Sequence, residues 1–316
     1  MLIGHREAWE AWRAALAGDR MHHAWLLTGK AGLGKAAFAS AAAHELVNGG
    51  PQPSQHPDIL FLTYGPKDRT EETKRADGKP FEVARSIRIG QIRDIQRRLT
   101  TQPTLGERRA VIIDPVDDLE PSAANALLKS LEEPPAGTFF LLVSHSPSRL
   151  LPTIRSRCRT LRFPTLSDEE MSRFLEDHSP GIDAAERAAA ARAAGGSPGA
   201  ALAFTELGLA RVASVMRAIC DTGDPGFAAR GDLAAQIGAR PDRERLRAVL
   251  DMARATVAQD IETVSRDQAI RRIAAHDGLV RLTAEHLTYN YDPGLFALEI
   301  GNLLASCATA SERVDG

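Results

Sequence analysis

Short apolar runs alternate with stretches of helical spacing through the first half of the chain. Ala24-Trp25-Leu26-Leu27-Thr28, Asp58-Ile59-Leu60-Phe61-Leu62, Ala110-Val111-Ile112-Ile113-Asp114 and Thr138 to Ser144 are such runs. Each has the length of a strand buried on both faces. Between them, Lys35 to about Val47 is alanine-rich and reads as a helix. Ile89, Ile92, Ile95 and Leu99 recur near helical spacing, which predicts a second helix from Arg88 or Ile89 to Leu99. A third is predicted from Pro121 to Glu133. Pro121 sits in its first turn, Ala124, Leu127, Leu128 and Leu131 share one face, and Pro134-Pro135 end it. Gly65 to Pro80 is polar, charged and bounded by Gly and Pro, and reads as a loop. This alternation predicts an α/β domain: a parallel sheet with helices on both faces.

After Pro164 no further strands are predicted. Residues 164–205 read as a small helical domain, opened by Ser167-Asp168-Glu169-Glu170 and punctuated by Gly195-Gly196-Ser197-Pro198-Gly199. Residues 206–316 are also helical by pattern. Leu246, Val249, Leu250 and Ala253 mark one helix face there, and Leu295, Leu298 and Leu303 another. Ser311 to Gly316 is polar and is expected to fray. The expected organisation is therefore three parts, 1–163, 164–205 and 206–316, in a chain of 316 residues.

Basic and acidic residues number 39 and 41, for a formal net charge of −2. That balance excludes a global basic field, so any grip on nucleic acid needs a local patch. Arg93 and Arg97, beside Arg88 and Arg98 on one predicted helix, and Lys129 on another, are the candidates. A solvated basic face is the alternative reading. Cys158, Cys220 and Cys307 are far apart in sequence, so no disulfide framework or zinc site is expected. A reducing cytoplasm suits them. No apolar stretch reaches signal or membrane-spanning length, so neither secretion nor a membrane partner is expected.

Gly29-Lys30-Ala31-Gly32-Leu33-Gly34-Lys35-Ala36 lies between a predicted strand and a predicted helix. Gly29, Gly32, Gly34 and Lys35 are the parts of a phosphate-binding loop. Its backbone N–H groups and the helix N-terminus suit phosphate oxygens. The hydroxyl residue that closes such a loop, and ligates Mg²⁺, is here Ala36. Asp114 ends a later strand and suits the second acid of a metal site. In ring ATPases the next residue is usually a glutamate that orients water; here it is Pro115. These losses leave nucleotide binding (ATP or ADP) open and argue against efficient hydrolysis.

Two segments identify a resemblance: Asn125-Ala126-Leu127-Leu128-Lys129-Ser130-Leu131-Glu132-Glu133-Pro134-Pro135 and Leu151-Pro152-Thr153-Ile154-Arg155-Ser156-Arg157-Cys158. At this spacing the chain resembles the bacterial clamp-loader subunits of the AAA+ class, well over residues 1–200 and by architecture beyond. The resemblance implies an AAA+ P-loop domain, a helical lid and an all-α collar. Active gamma/tau subunits of that family would carry Thr or Ser at 36, Glu at 115 and Arg where Gly199 stands. The chain is thus similar to the non-hydrolysing kind of subunit, and no cofactor is required. The resemblance also implies a hetero-pentameric arc with gamma/tau and delta neighbours, loading a sliding clamp onto primed DNA. Arg157 would be the arginine finger acting in trans, with Arg155 and Arg159 close enough to share the role. The four-cysteine zinc module of many members is missing, since Asn48 to Asp58 offers only His56. A divergent gamma-like motor and a nucleic-acid-binding module outside any loader are the rival readings.

Overall fold

A computed structural model describes residues 5–18, 21–47, 56–288 and 292–308. The stretches 48–55 and 311–316 discussed above lie outside them. The chain divides into two compact units, Met1–Thr165 and Leu166–Gly316.

The first unit runs α1 (Arg6–Leu16), β1 (Ala24–Thr28), α2 (Lys35–Leu46), β2 (Ile59–Leu62), α3 (Arg69–Ala76), α4 (Ile89–Leu99), β3 (Arg109–Ile113), α5 (Pro121–Glu132), β4 (Thr138–Ser144), α6 (Pro152–Arg155) and β5 (Arg159–Arg162). The five strands form one sheet in the order β2-β3-β4-β1-β5, and every pairing is parallel. Side chains alternate between the faces of a strand, so the buried runs split cleanly. Leu26, Leu60, Leu62, Val111, Ile113, Phe140 and Leu142 meet α4, α5 and α6 on one side. Trp25, Leu27, Ala110, Ile112, Leu141 and Val143 meet α1 and α2 on the other. Trp12 and Trp25 are fully buried there, ring centroids 5.3 Å apart.

The segment Gly65 to Pro80 is not only loop. It contains α3, whose sequence Arg-Thr-Glu-Glu-Thr-Lys-Arg-Ala has no apolar face to reveal it. Its stability comes from polar contacts instead. Asp68 caps it by accepting Thr70 and Glu71 N–H at 2.9 and 3.0 Å. Buried Glu71 accepts from Lys74 and from the Glu82 backbone.

Asp58 sits just before β2 rather than in it, and it is fully buried. It accepts from the backbone of Thr104 at 2.6 Å and Leu105 at 2.8 Å, and from Arg109 Nη2 at 3.4 Å. Arg109 also donates to the carbonyls of Arg98, Thr101 and Gln102. Burial alone would raise the Asp58 pKa, but these donors outweigh it and hold the carboxyl below its ordinary value.

The second unit is helical: α7 (Asp168–His178), α8 (Ala184–Ala194), α9 (Pro198–Glu206), α10 (Ala210–Thr222), α11 (Ala228–Ile237), α12 (Arg243–Ala258), α13 (Arg266–Thr288) and α14 (Pro293–Ala305). Ser167 caps α7 reciprocally with Glu170. Leu246, Val249, Leu250 and Ala253 are buried on α12. On α14 the expected face is displaced. Phe296, Ala297, Ile300 and Leu304 are buried, while Leu295 and Leu298 are exposed. That helix is apolar nearly all round, so its pattern does not select a face. Buried Arg230 donates to Asn302 Oδ1 at 2.6 Å and pairs with Asp224 at 3.3 Å. Gly301 makes room for it, since a Cβ there would lie 2.7 Å from Arg230 Cγ. No single helix among the described residues is long and apolar enough to cross a membrane.

Candidate functional site

The glycine loop joins the C-terminal end of β1 to α2, with β5 and β4 on either side of β1. Gly29, Gly32 and Gly34 all have positive φ, at 152°, 77° and 77°. Gly29 has a second reason to be glycine: a Cβ there would lie 2.4 Å from the Phe163 carbonyl oxygen. α2 starts at Lys35, so the loop delivers backbone N–H groups at a helix N-terminus. The Lys35 side chain is buried, and its Nζ donates to Gly29 O at 2.6 Å and to Lys30 O. The lysine is thus folded back onto its own loop. His5 Nε2 lies 2.6 Å from Leu33 O and braces the loop from the α1 side.

Ala36, the second residue of α2, presents only a methyl group. Asp114 follows β3 and is half-buried, with His145 Nε2 3.8 Å from its Oδ1. Asp117 and Asp118, a few residues after Asp114, are engaged elsewhere. Asp117 accepts from Ser144 Oγ at 2.7 Å and from the backbone of His145 and Ser146, tying down the end of β4. Asp118 accepts from Tyr64 Oη at 2.5 Å and pairs with Arg149 at 3.5 Å. Among the described residues, no three His, Cys, Asp or Glu side chains converge as a metal site. The loop has the glycines and helix N-terminus of a phosphate cradle, with Lys35 turned onto its carbonyls. The donor set does not fit a catalytic Mg²⁺, which needs the missing hydroxyl beside Asp114.

Arg157 lies between α6 and β5. Its Nη1 donates to Thr153 O at 2.9 Å, and its Nη2 pairs with Glu132 Oε1 at 2.7 Å. The side chain is about one-third exposed. Arg155 is exposed and reaches Pro147 O at 3.4 Å. Arg159 is exposed and lies over the Trp25 ring, 4.9 Å from its centroid. Cys158 between them packs against the core, and burial pushes its thiol pKa up to about 12.

Arg93 and Arg97 are exposed on α4 and line a shallow groove with Gly90, Asp94, Gln96 and Thr100. Asp94 pairs with Arg97 and dilutes its charge. Lys129 is exposed on α5. That helix is bound to α4 through Gln96, which donates to Ala126 O and Ser130 Oγ. Gly199 lies in the first turn of α9. His56 is buried, and its Nδ1 accepts from the Asp58 backbone at 3.1 Å. Cys220 and Cys307 are buried free thiols. Two neighbours of the candidate site are not linked to it by anything in the sequence, although Glu132 stands inside the Asn125-to-Pro135 segment. His145 is revealed only by β4 lying next to β3, and Glu132 by α5 ending near α6.

A parallel sheet in this strand order, with a glycine loop after β1 and an acid after β3, defines a phosphate-loop α/β domain. Comparison with known proteins narrows the class. The family model described as DNA polymerase III, delta subunit, matches residues 4–167, just over half of the chain. The chain belongs to this family. It is 38% identical over 159 residues to DNA polymerase III subunit delta' of Pseudomonas aeruginosa, covering 45% of this chain and 44% of that protein. To subunit delta' of Escherichia coli it is 32% identical over 206 residues, covering 60% and 57%. The chain thus spans about half the length of the curated relatives it matches. A solved DNA polymerase III gamma subunit-related protein from Thermotoga maritima is 18% identical, with a TM-score of 0.45 over 93% of this chain and 98% of that one.

Proposed function

We propose that the chain serves as a delta-prime-type subunit of a clamp loader. In this reading it turns over no nucleotide itself and supplies Arg157 in trans to the nucleotide of a neighbouring gamma/tau subunit. The observation that carries the reading is a contrast within one domain. The loop can cradle phosphate, but Ala36 and Pro115 remove the groups that turnover needs, while Arg157 stands partly exposed on another segment. A guanidinium is permanently charged and planar, which suits the outer phosphates of a bound nucleotide. Trans arginines contribute about 10³- to 10⁵-fold in the best-studied GTPases. ATP or ADP would be held through Gly29 to Lys35 without efficient hydrolysis. Binding there would require Lys35 to leave the carbonyls of Gly29 and Lys30.

The division of 164–316 into a lid, 164–205, and an oligomerisation collar, 206–316, belongs to the same proposal, as do delta and gamma/tau as partners in a hetero-pentamer. Arg93, Arg97 and Lys129 would touch the phosphates of primed DNA within the assembly, giving sequence-independent and salt-sensitive binding. A cytoplasmic location follows from such a role. Reconstitution with gamma/tau, delta and the clamp tests it. The chain should co-migrate with gamma/tau and delta, and clamp loading should require it. Mg²⁺-dependent turnover by the isolated chain would favour a gamma-like motor instead.

A further inference from the structure

Arg157 is the one arginine of its segment that is held by a carboxylate among the described residues. Its Nη1 donates to Thr153 O on α6 at 2.9 Å, and its Nη2 forms an ion pair with Glu132 Oε1 on α5 at 2.7 Å. A guanidinium is rigid, so a hydrogen bond at one terminal nitrogen and an ion pair at the other restrict the orientation of its plane. One of its five N–H donors is used in a hydrogen bond, to Thr153 O, and the Glu132 contact is an ion pair. Arg155 has a single long contact to a carbonyl, and Arg159 rests on a ring face. Neither is oriented in this way.

Glu132 is itself well placed to hold a cation. It is the last residue of α5, a helix anchored in the core by Ala123, Ala124, Leu127 and Leu131. The negative end of the helix dipole lies there and adds to the carboxylate's attraction. Pro134 and Pro135 follow after Glu133 and end the helix. The Glu132 carboxylate remains about half exposed, so it does not depend on the pair for its own solvation.

We propose that Glu132 is a positioning residue that orients the Arg157 fork and ties its placement to α5. This inference rests on the reading of Arg157 as the trans-acting arginine. Without Glu132 the long side chain would sample several rotamers, and part of its effect in a neighbour's transition state would go into ordering it. The charge would still be present, so the loss should be partial.

The test is a double-mutant cycle in the reconstituted loader, with clamp and primed DNA, using Glu132→Gln, Arg157→Ala and the double variant. Circular dichroism and co-migration check that each variant folds and assembles. Glu132→Gln keeps the shape and removes the charge. It should lower kcat for ATP about three- to fivefold, the scale of a partly exposed ion pair, and leave KM for ATP unchanged. It should add nothing once Arg157 is alanine. A fall of equal size in the Arg157→Ala background would make Glu132 a structural residue and overturn the inference. An unchanged kcat with Glu132→Gln, beside a large loss with Arg157→Ala, would overturn it while leaving the role of Arg157 intact. A higher kcat would make Glu132 a restraint, contrary to the proposal. No loss with Arg157→Ala would remove the reading itself, and this inference with it.

Discussion

Replacing Asp58 by alanine should destabilise the first unit more than any single surface change. The carboxylate serves three donors in a fully buried place: Thr104 N–H, Leu105 N–H and Arg109. Hydrogen bonds to a charged group contribute about 1.5–3 kcal/mol each. The two short backbone bonds therefore account for most of the expected loss. Arg109 adds less, because its contact is 3.4 Å and three carbonyls still hold it. The expected cost is about 3–5 kcal/mol, the range seen when one partner of a buried pair is removed. For a unit of this size that lowers Tm by about 10 °C. Asp58→Asn keeps one acceptor oxygen and should cost roughly 2–3 kcal/mol. The assay is thermal unfolding followed by tryptophan fluorescence. Trp9, Trp12 and Trp25 are the only tryptophans and all lie in Met1–Thr165, so the signal reports that unit. The pH dependence has a definite sign. The folded pKa is depressed, so the contribution of Asp58 is fully present above the ordinary value of 3.8 and disappears as pH falls through the lower folded value. The gap between native protein and Asp58→Asn should accordingly narrow below about pH 4. A Tm change under about 3 °C for Asp58→Ala, or a gap that widens in acid, would refute the reasoning.

Three further outcomes are expected. Gly29→Ala should lower Tm of the first unit by several degrees. It combines φ of 152° with a Cβ 2.4 Å from Phe163 O, a strain of about 1–3 kcal/mol before the clash is counted; an unchanged melt contradicts this. Cys158, with its pKa pushed to about 12 by burial, should stay unlabelled by iodoacetamide at pH 8 in the native protein and react on unfolding, as read by peptide mass spectrometry. Rapid native labelling would show that the thiol is not protected. Ala36→Thr should leave ATPase of the isolated chain at background, because Pro115 still offers no group to orient water; Mg²⁺-dependent turnover by this variant would overturn that account.

The sheet is legible in the sequence because β1, β3 and β4 are buried on both faces and must be continuously apolar. β5 is not legible, since Arg159-Thr160-Leu161-Arg162 buries only Leu161 at a sheet edge. α3 escapes a periodicity reading because polar caps and Glu71, rather than an apolar stripe, hold it. The glycine loop was readable from spacing, but not the retreat of Lys35 onto Gly29 and Lys30, which depends on backbone geometry. Only the fold shows Asp117 and Asp118 committed to Ser144, Tyr64 and Arg149. Arg157 could be singled out from its motif. Its partner Glu132, 25 positions earlier, is brought to it by the way α5 and α6 pack.

The most direct test of the central claim is the ATPase rate of the reconstituted loader, stimulated by clamp and primed DNA, with native chain or Arg157→Ala. A drop of tenfold or more in kcat, well within the range for a trans arginine, is predicted with the assembly intact. An unchanged rate in an intact assembly would contradict the account and leave the chain without a part in its neighbour's chemistry through Arg157.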